Sequence, residues 1–177
     1  MSRPPEKSES DVIRWTPTAV PTAIELLLHR QRTCVNHPKL PLVLGERLFN
    51  TIALLLRCCM TSLASPDITG ATGKEGDVLV CAQSTVTQLT SSLALQRNWS
   101  SEMLACLGSI LKDLHQSTSH LLTDDLLEAA TTVAHGARAG TNPREVSESA
   151  QRLEDTIEDI RGKGPCKYQL RHVNSPL

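Results

Sequence analysis

Aromatic side chains are almost missing from this sequence: Phe49, Trp15, Trp99 and Tyr168 are all it has in 177 residues. Proteins that hold single-stranded nucleic acid commonly stack its bases on such rings, so nucleic acid is not an expected partner. The core must come from Leu, Ile, Val, Ala, Met and Cys, a set that suits helices better than sheets. An excess of one charge is missing too. Lys and Arg number 18 against 19 Asp and Glu, a net charge of -1. No strong field is therefore present to draw DNA or an anionic membrane. Strand signals are scarce as well: Val78-Leu79-Val80-Cys81 is one short β-like run, and helical spacing continues straight through it.

The first residues, Met1–Ser10, have no apolar run behind them, so no secretory signal is expected. That places the chain in the cytoplasm, the nucleus or both. The six cysteines are then expected as reduced thiols rather than a disulfide framework. Asn98-Trp99-Ser100 matches a glycosylation acceptor, which carries no meaning outside the secretory route.

What the sequence does contain is helix. Leu42–Leu63 is apolar around most of its circumference, through Leu48, Phe49, Ile52, Ala53, Leu54, Leu55, Leu56, Cys58, Cys59, Met60 and Leu63. Such a helix is buried among others or spans a membrane. Glu46, Arg47, Asn50 and Arg57 interrupt it short of the roughly 20 apolar residues a span needs, so a central helix with neighbours on several sides is expected.

Around it, 1–18 reads as a disordered tail, 19–162 as one helical domain and 163–177 as a basic, flexible tail. A first helix runs from near Pro21 to Arg32, and the Pro/Gly/Thr-rich stretch Ser65–Gly76 reads as a loop. A third helix is expected behind an Asp77 cap, with Leu79, Ala82, Val86, Leu89 and Leu93 on its apolar face. Its many hydroxyl residues lower its intrinsic propensity and make it depend on packing. A fourth helix follows a Ser100 or Ser101 cap. A fifth follows Thr123 and its acids Asp124 and Asp125, ending at Gly136 or Gly140. The sixth has Asn142 as its expected cap, Pro143 in the first helical position and Glu145 as capping-box acid. Val146, Ala150, Leu153, Ile157 and Ile160 then repeat in a narrow seam until Gly162.

The fold class is therefore all-α: about six helices in antiparallel hairpins, forming an irregular bundle or a short stack. The leucine-rich helices with small residues and cysteines, Leu54-Leu55-Leu56-Arg57-Cys58-Cys59 and Met103 to Leu111, resemble armadillo or HEAT-type repeats over Pro21–Gly136. The proline kink and asparagine ladder of those families have no counterpart here. The resemblance implies a protein-binding scaffold without catalytic residues.

Patterns that could carry chemistry fall short of it. Gly70-Ala71-Thr72-Gly73-Lys74-Glu75 lacks the P-loop glycine, where Ile68 stands, and the magnesium-binding hydroxyl, where Glu75 stands. Cys34-Val35-Asn36-His37 has a metal-site spacing, but Cys58 and Cys59 point about 100° apart on a helix and do not readily face one ion. His115 and His120 stand five apart, off the spacing that stacks side chains on one helical face. No Gly-x-Ser-x-Gly elbow is present. No catalytic residue, cofactor or metal is expected.

These readings converge on a non-enzymatic intracellular interaction or scaffold module built from helical hairpins. Its expected partners are proteins, with possible self-association, no evident small-molecule substrate and no membrane. The expected partner-contact residues are Val146, Leu153, Ile157 and Ile160, as an amphipathic helix offered to a groove. Their alternative use is as core against the fifth helix. Two other readings stand beside the scaffold: a fragment or splice form of a larger armadillo-like protein, and a small helical thiol enzyme using Cys34 or Cys106.

Overall fold

The structure, a computed structural model, describes residues 19–34, 41–63, 74–140 and 142–162. The expected tails, the stretch from Ser65 to Gly73 and residues Val35, Asn36 and His37 lie outside them. Among the described residues there are six α-helices and no strand. They are α1 (Ala19–Cys34), α2 (Pro41–Leu63), α3 (Lys74–Leu95), α4 (Ser101–Ser117), α5 (Asp124–Ala139) and α6 (Arg144–Gly162). A single 3-10 turn, Ser119–Leu121, joins α4 to α5. The fold is all-α.

Two helix starts follow their expected chemistry. The Ser100 hydroxyl accepts from the Met103 amide at 3.2 Å, and the Thr123 hydroxyl accepts from the Leu126 amide at 3.2 Å. Each satisfies a donor that has no partner within the helix, and Asp124 and Asp125 add favourable charge at the α5 N-terminus.

Two others differ from expectation. α3 begins at Lys74, so Asp77 lies inside the helix rather than capping it. Asn142 does not cap α6. Its side-chain amide donates backward to the Ala137 carbonyl at 2.8 Å, closing the end of α5. The Pro143 carbonyl instead accepts from the Val146 and Ser147 amides as α6 begins. Gly140 is the residue that stops α5, with an extended φ of -79° rather than a left-handed one.

The helices form two rows. α4 packs against both α2 and α6, while α3 packs against both α1 and α5. The rows are tied together where α2 meets α1 and α3, and where α6 meets α5. Met103, Leu104, Leu107, Ile110, Leu111 and Leu114 of α4 are all fully buried, each contributing about 1.5–3 kcal/mol on removal from water. Phe49 and Trp99 meet edge to face with centroids 6.2 Å apart, fixing α2 against the α3–α4 connection.

α3 solves its hydroxyl burden locally. Thr85, fully buried, donates to the Cys81 carbonyl at 2.7 Å. Thr87, Thr90 and Ser91 likewise donate to carbonyls four residues back. Each of these four hydroxyls finds its acceptor within α3 itself. Residues Gly76–Leu95 are long and apolar enough to cross a membrane by composition. In this fold the helix packs against α1, α2 and α5, and burial of one side against them accounts for part of its apolar character.

Candidate functional site

The α6 seam is core. Val146, Leu153, Ile157 and Ile160 are 7, 1, 2 and 7% exposed, because α6 lays its apolar face into the angle between α4 and α5. The expectation that these four are offered to a partner is corrected. α6 has one narrow apolar stripe, and its own neighbours consume it. The rest of its surface is polar, through Glu145, Glu148, Arg152, Asp155 and Glu158.

Uncovered apolar surface lies at the other end of the chain. Leu26 and Leu27 of α1, Leu42, Val43 and Leu54 of α2, and Val80 of α3 are the large hydrophobic side chains left exposed among the described residues. Leu26, Leu54 and Val80 are more than 60% exposed. The sequence pattern predicted α2 to be covered on nearly all sides. It has three neighbours, yet the face carrying Leu54 remains open to solvent.

Among its described side chains, α1 contributes Ile24 and Leu28 to the core. Its outer side frames a groove of about 500 Å³ against α3, lined by Thr22, Glu25, Leu26, His29, Arg32 and Gln88 among others. Apolar Leu26 therefore sits among charged and polar neighbours, a composition that suits a partly apolar, partly polar segment. A second groove of about 340 Å³ lies between α3 and α5 and is more polar, with Gln83, Thr87, Thr90, His120, Thr123 and Asp125. A third, about 300 Å³, runs along α4 and α6.

Charged groups cluster at two helix seams. Between α2 and α4, Arg57 donates to the Ser109 hydroxyl at 2.7 Å and stands 3.5 Å from the Asp113 carboxylate. Burial pushes the Cys106 thiol upward there; Arg57 opposes the shift and Asp113 adds to it. A raised thiol is the reverse of an activated nucleophile, so nothing in this cluster favours Cys106 as a reactive thiol. Between α5 and α6, Arg138 pairs with the mostly buried Glu154 carboxylate at 2.6 Å, and His135 lies 3.7 Å from its other oxygen.

The cysteine pattern reads differently once folded. Cys58 is exposed, while its neighbour Cys59 turns inward and meets Cys81 of α3 at a sulfur–sulfur distance of 3.5 Å. The roughly 100° step between adjacent helical residues produces that separation. Burial, then the hydrogen bond with Cys81, pushes the Cys59 thiol up to about 12. The Cys34 side chain lies outside the described set, and no group of three or more metal-binding side chains forms among the described residues.

No protein-family model, no curated protein and no solved structure matches this chain. The site must be read from its own geometry. The exposed apolar surface of α1–α3 was not anticipated from the sequence, which pointed to a covered α2 and an offered α6; no spacing rule told which of the leucines would stay outside.

Proposed function

We propose that this chain is a non-enzymatic protein-binding module, acting inside the cell, that receives an amphipathic helix of a protein partner against its α1–α3 side. One observation carries the reading. All six large apolar side chains left exposed among the described residues lie on α1, α2 and α3, and none on α4–α6. Exposed apolar surface rimmed by polar groups marks sites of association. The groove beside Leu26 supports a partner with apolar residues at helical spacing, flanked by a base for Glu25 and an acid for Arg32.

The uncovered end supports a second reading. Elongated helical stacks close their ends with polar faces. The outer face of α6 has that character and α1 does not. The chain would then be part of a longer stack of armadillo-type hairpins, with a further helical layer as the missing cover.

Selection of displayed amphipathic helical peptides against the folded protein tests the first reading. A Leu26→Asp, Val43→Asp variant serves as the counter-selection. Peptides with apolar residues at three- and four-residue spacing should emerge, lose binding to the variant, and shift NMR signals of α1–α3. Peptides that map to α4–α6, or an empty selection from a monomeric protein, would overturn it. Self-association abolished by Leu26→Asp would favour the longer stack.

A further inference from the structure

Two thiols from different helices touch in this fold. Cys59 of α2 and Cys81 of α3 are 3.5 Å apart, sulfur to sulfur. Cys81 is buried, Cys59 partly so, and Cys58 beside it is exposed. Disulfide sulfurs stand about 2.05 Å apart, so closing this pair needs a shift of roughly 1.5 Å between helices that already pack together. We propose that Cys59 and Cys81 are a reversible oxidation site, at which a small-molecule disulfide converts the two thiols into a bond that staples α2 to α3.

The exposures assign the order of events. The Cys59 thiol, reachable from solvent, loses its proton and attacks one sulfur of the small disulfide. That S–S bond breaks, and one small thiolate leaves and takes up a proton. Cys81, the buried member, then gives up its proton and attacks the Cys59 sulfur of the mixed disulfide, expelling the second small thiol. In all, two protein thiols lose two electrons and two protons, and one small disulfide gains them as two thiols.

The environment sets the tempo. Only the thiolate attacks, and burial together with the Cys81 contact keeps Cys59 protonated at neutral pH. The first step should therefore be slow, quickening close to tenfold for each pH unit between about 7 and 9. Such a pair is a slow lock that follows the prevailing redox state, rather than a rapid peroxide sensor. Once formed, the bond closes a loop between positions 22 residues apart and limits the unfolded chain accordingly.

The test uses the full chain carrying Cys58→Ser. Trypsin leaves Cys58 and Cys59 on one peptide and Cys81 on another, and removing Cys58 makes the linkage unambiguous. After incubation with oxidised glutathione at pH 8, with helical circular dichroism intact, the two peptides should be recovered joined. The thiols of Cys59 and Cys81 should both become inaccessible to alkylation, and the melting midpoint should rise by roughly 5 °C or more. Dithiothreitol should reverse all three changes. A Cys81→Ala variant in the same background should stop at the glutathione adduct of Cys59. Three results would each overturn the proposal: an adduct on Cys59 with Cys81 still free, linkage of Cys59 to another cysteine, or linkage found only in urea.

Discussion

α1–α3 and α4–α6 contain three helices each, yet they treat their apolar residues in opposite ways. In α4–α6 each large apolar side chain is covered, and the remaining surface is mainly polar, charged or small. α4 and α5 start on side-chain caps at Ser100 and Thr123, and the α5–α6 seam is held by Arg138 and Glu154. In α1–α3 six large apolar side chains face water, while Ile24 and Leu28 are the described side chains that α1 gives the core. One region buries its large hydrophobic residues against its own helices; the other leaves several in water. The contrast shows why a strong amphipathic pattern does not by itself mark a free face. A clean seam such as that of α6 is what internal packing demands, whereas exposed apolar surface is what packing leaves over.

The contrast can be broken first at Leu153. Leu153→Asp should unfold the chain by placing an unpaired charge in the α4–α6 seam, and Leu153→Ala should cost about 2–5 kcal/mol in a thermal or denaturant melt. A Leu153→Asp protein with an unchanged melt would show that the seam is not core. Next come the caps. Ser100→Ala and Thr123→Ala should each lose about 1 kcal/mol, with faster hydrogen exchange at the Met103 and Leu126 amides.

Smaller again is Glu154→Gln. Arg138 is largely exposed, so the pair is worth no more than about 1 kcal/mol and should weaken with added salt. On the opposite side, Leu26→Ser should move stability by no more than about 0.5 kcal/mol while removing partner binding; a large destabilisation there would make Leu26 part of the core. The last effect is confined to alkaline solution. Between pH 9, an ordinary thiol value, and about 12, the unfolded chain releases the Cys59 proton and the folded chain holds it. Stability should therefore fall as pH rises through that window, and Cys59→Ala should flatten the fall.

Much of the architecture was legible from local chemistry. Ser100 and Thr123 cap the helices they precede, because an N-cap needs only a hydroxyl at the right offset from its own amides. Helical spacing through Val78-Leu79-Val80-Cys81 rightly outweighed its β-branched look, since period decides where propensity is ambivalent. Asn142 shows where local reading stops. The residue sits between two helices and can serve either end, and its amide reaches the Ala137 carbonyl instead of an α6 amide. The same holds for the cysteines. That Cys58 and Cys59 diverge follows from helix geometry, but that Cys59 meets Cys81 depends on how α2 lies on α3.

By itself the sequence determined the all-α class, two of the caps, and the apolar stripes of α3 to α6, because these depend on residues within a few positions of one another. Only the tertiary structure decided which stripe is core and which leucines stay in water. Helices with similar apolar surface compete for the same neighbours, and pairing α6 with both α4 and α5 settles that competition through contacts far apart in the chain. The same packing left Leu26, Leu54 and Val80 uncovered. No spacing along the chain encodes the absence of a neighbour.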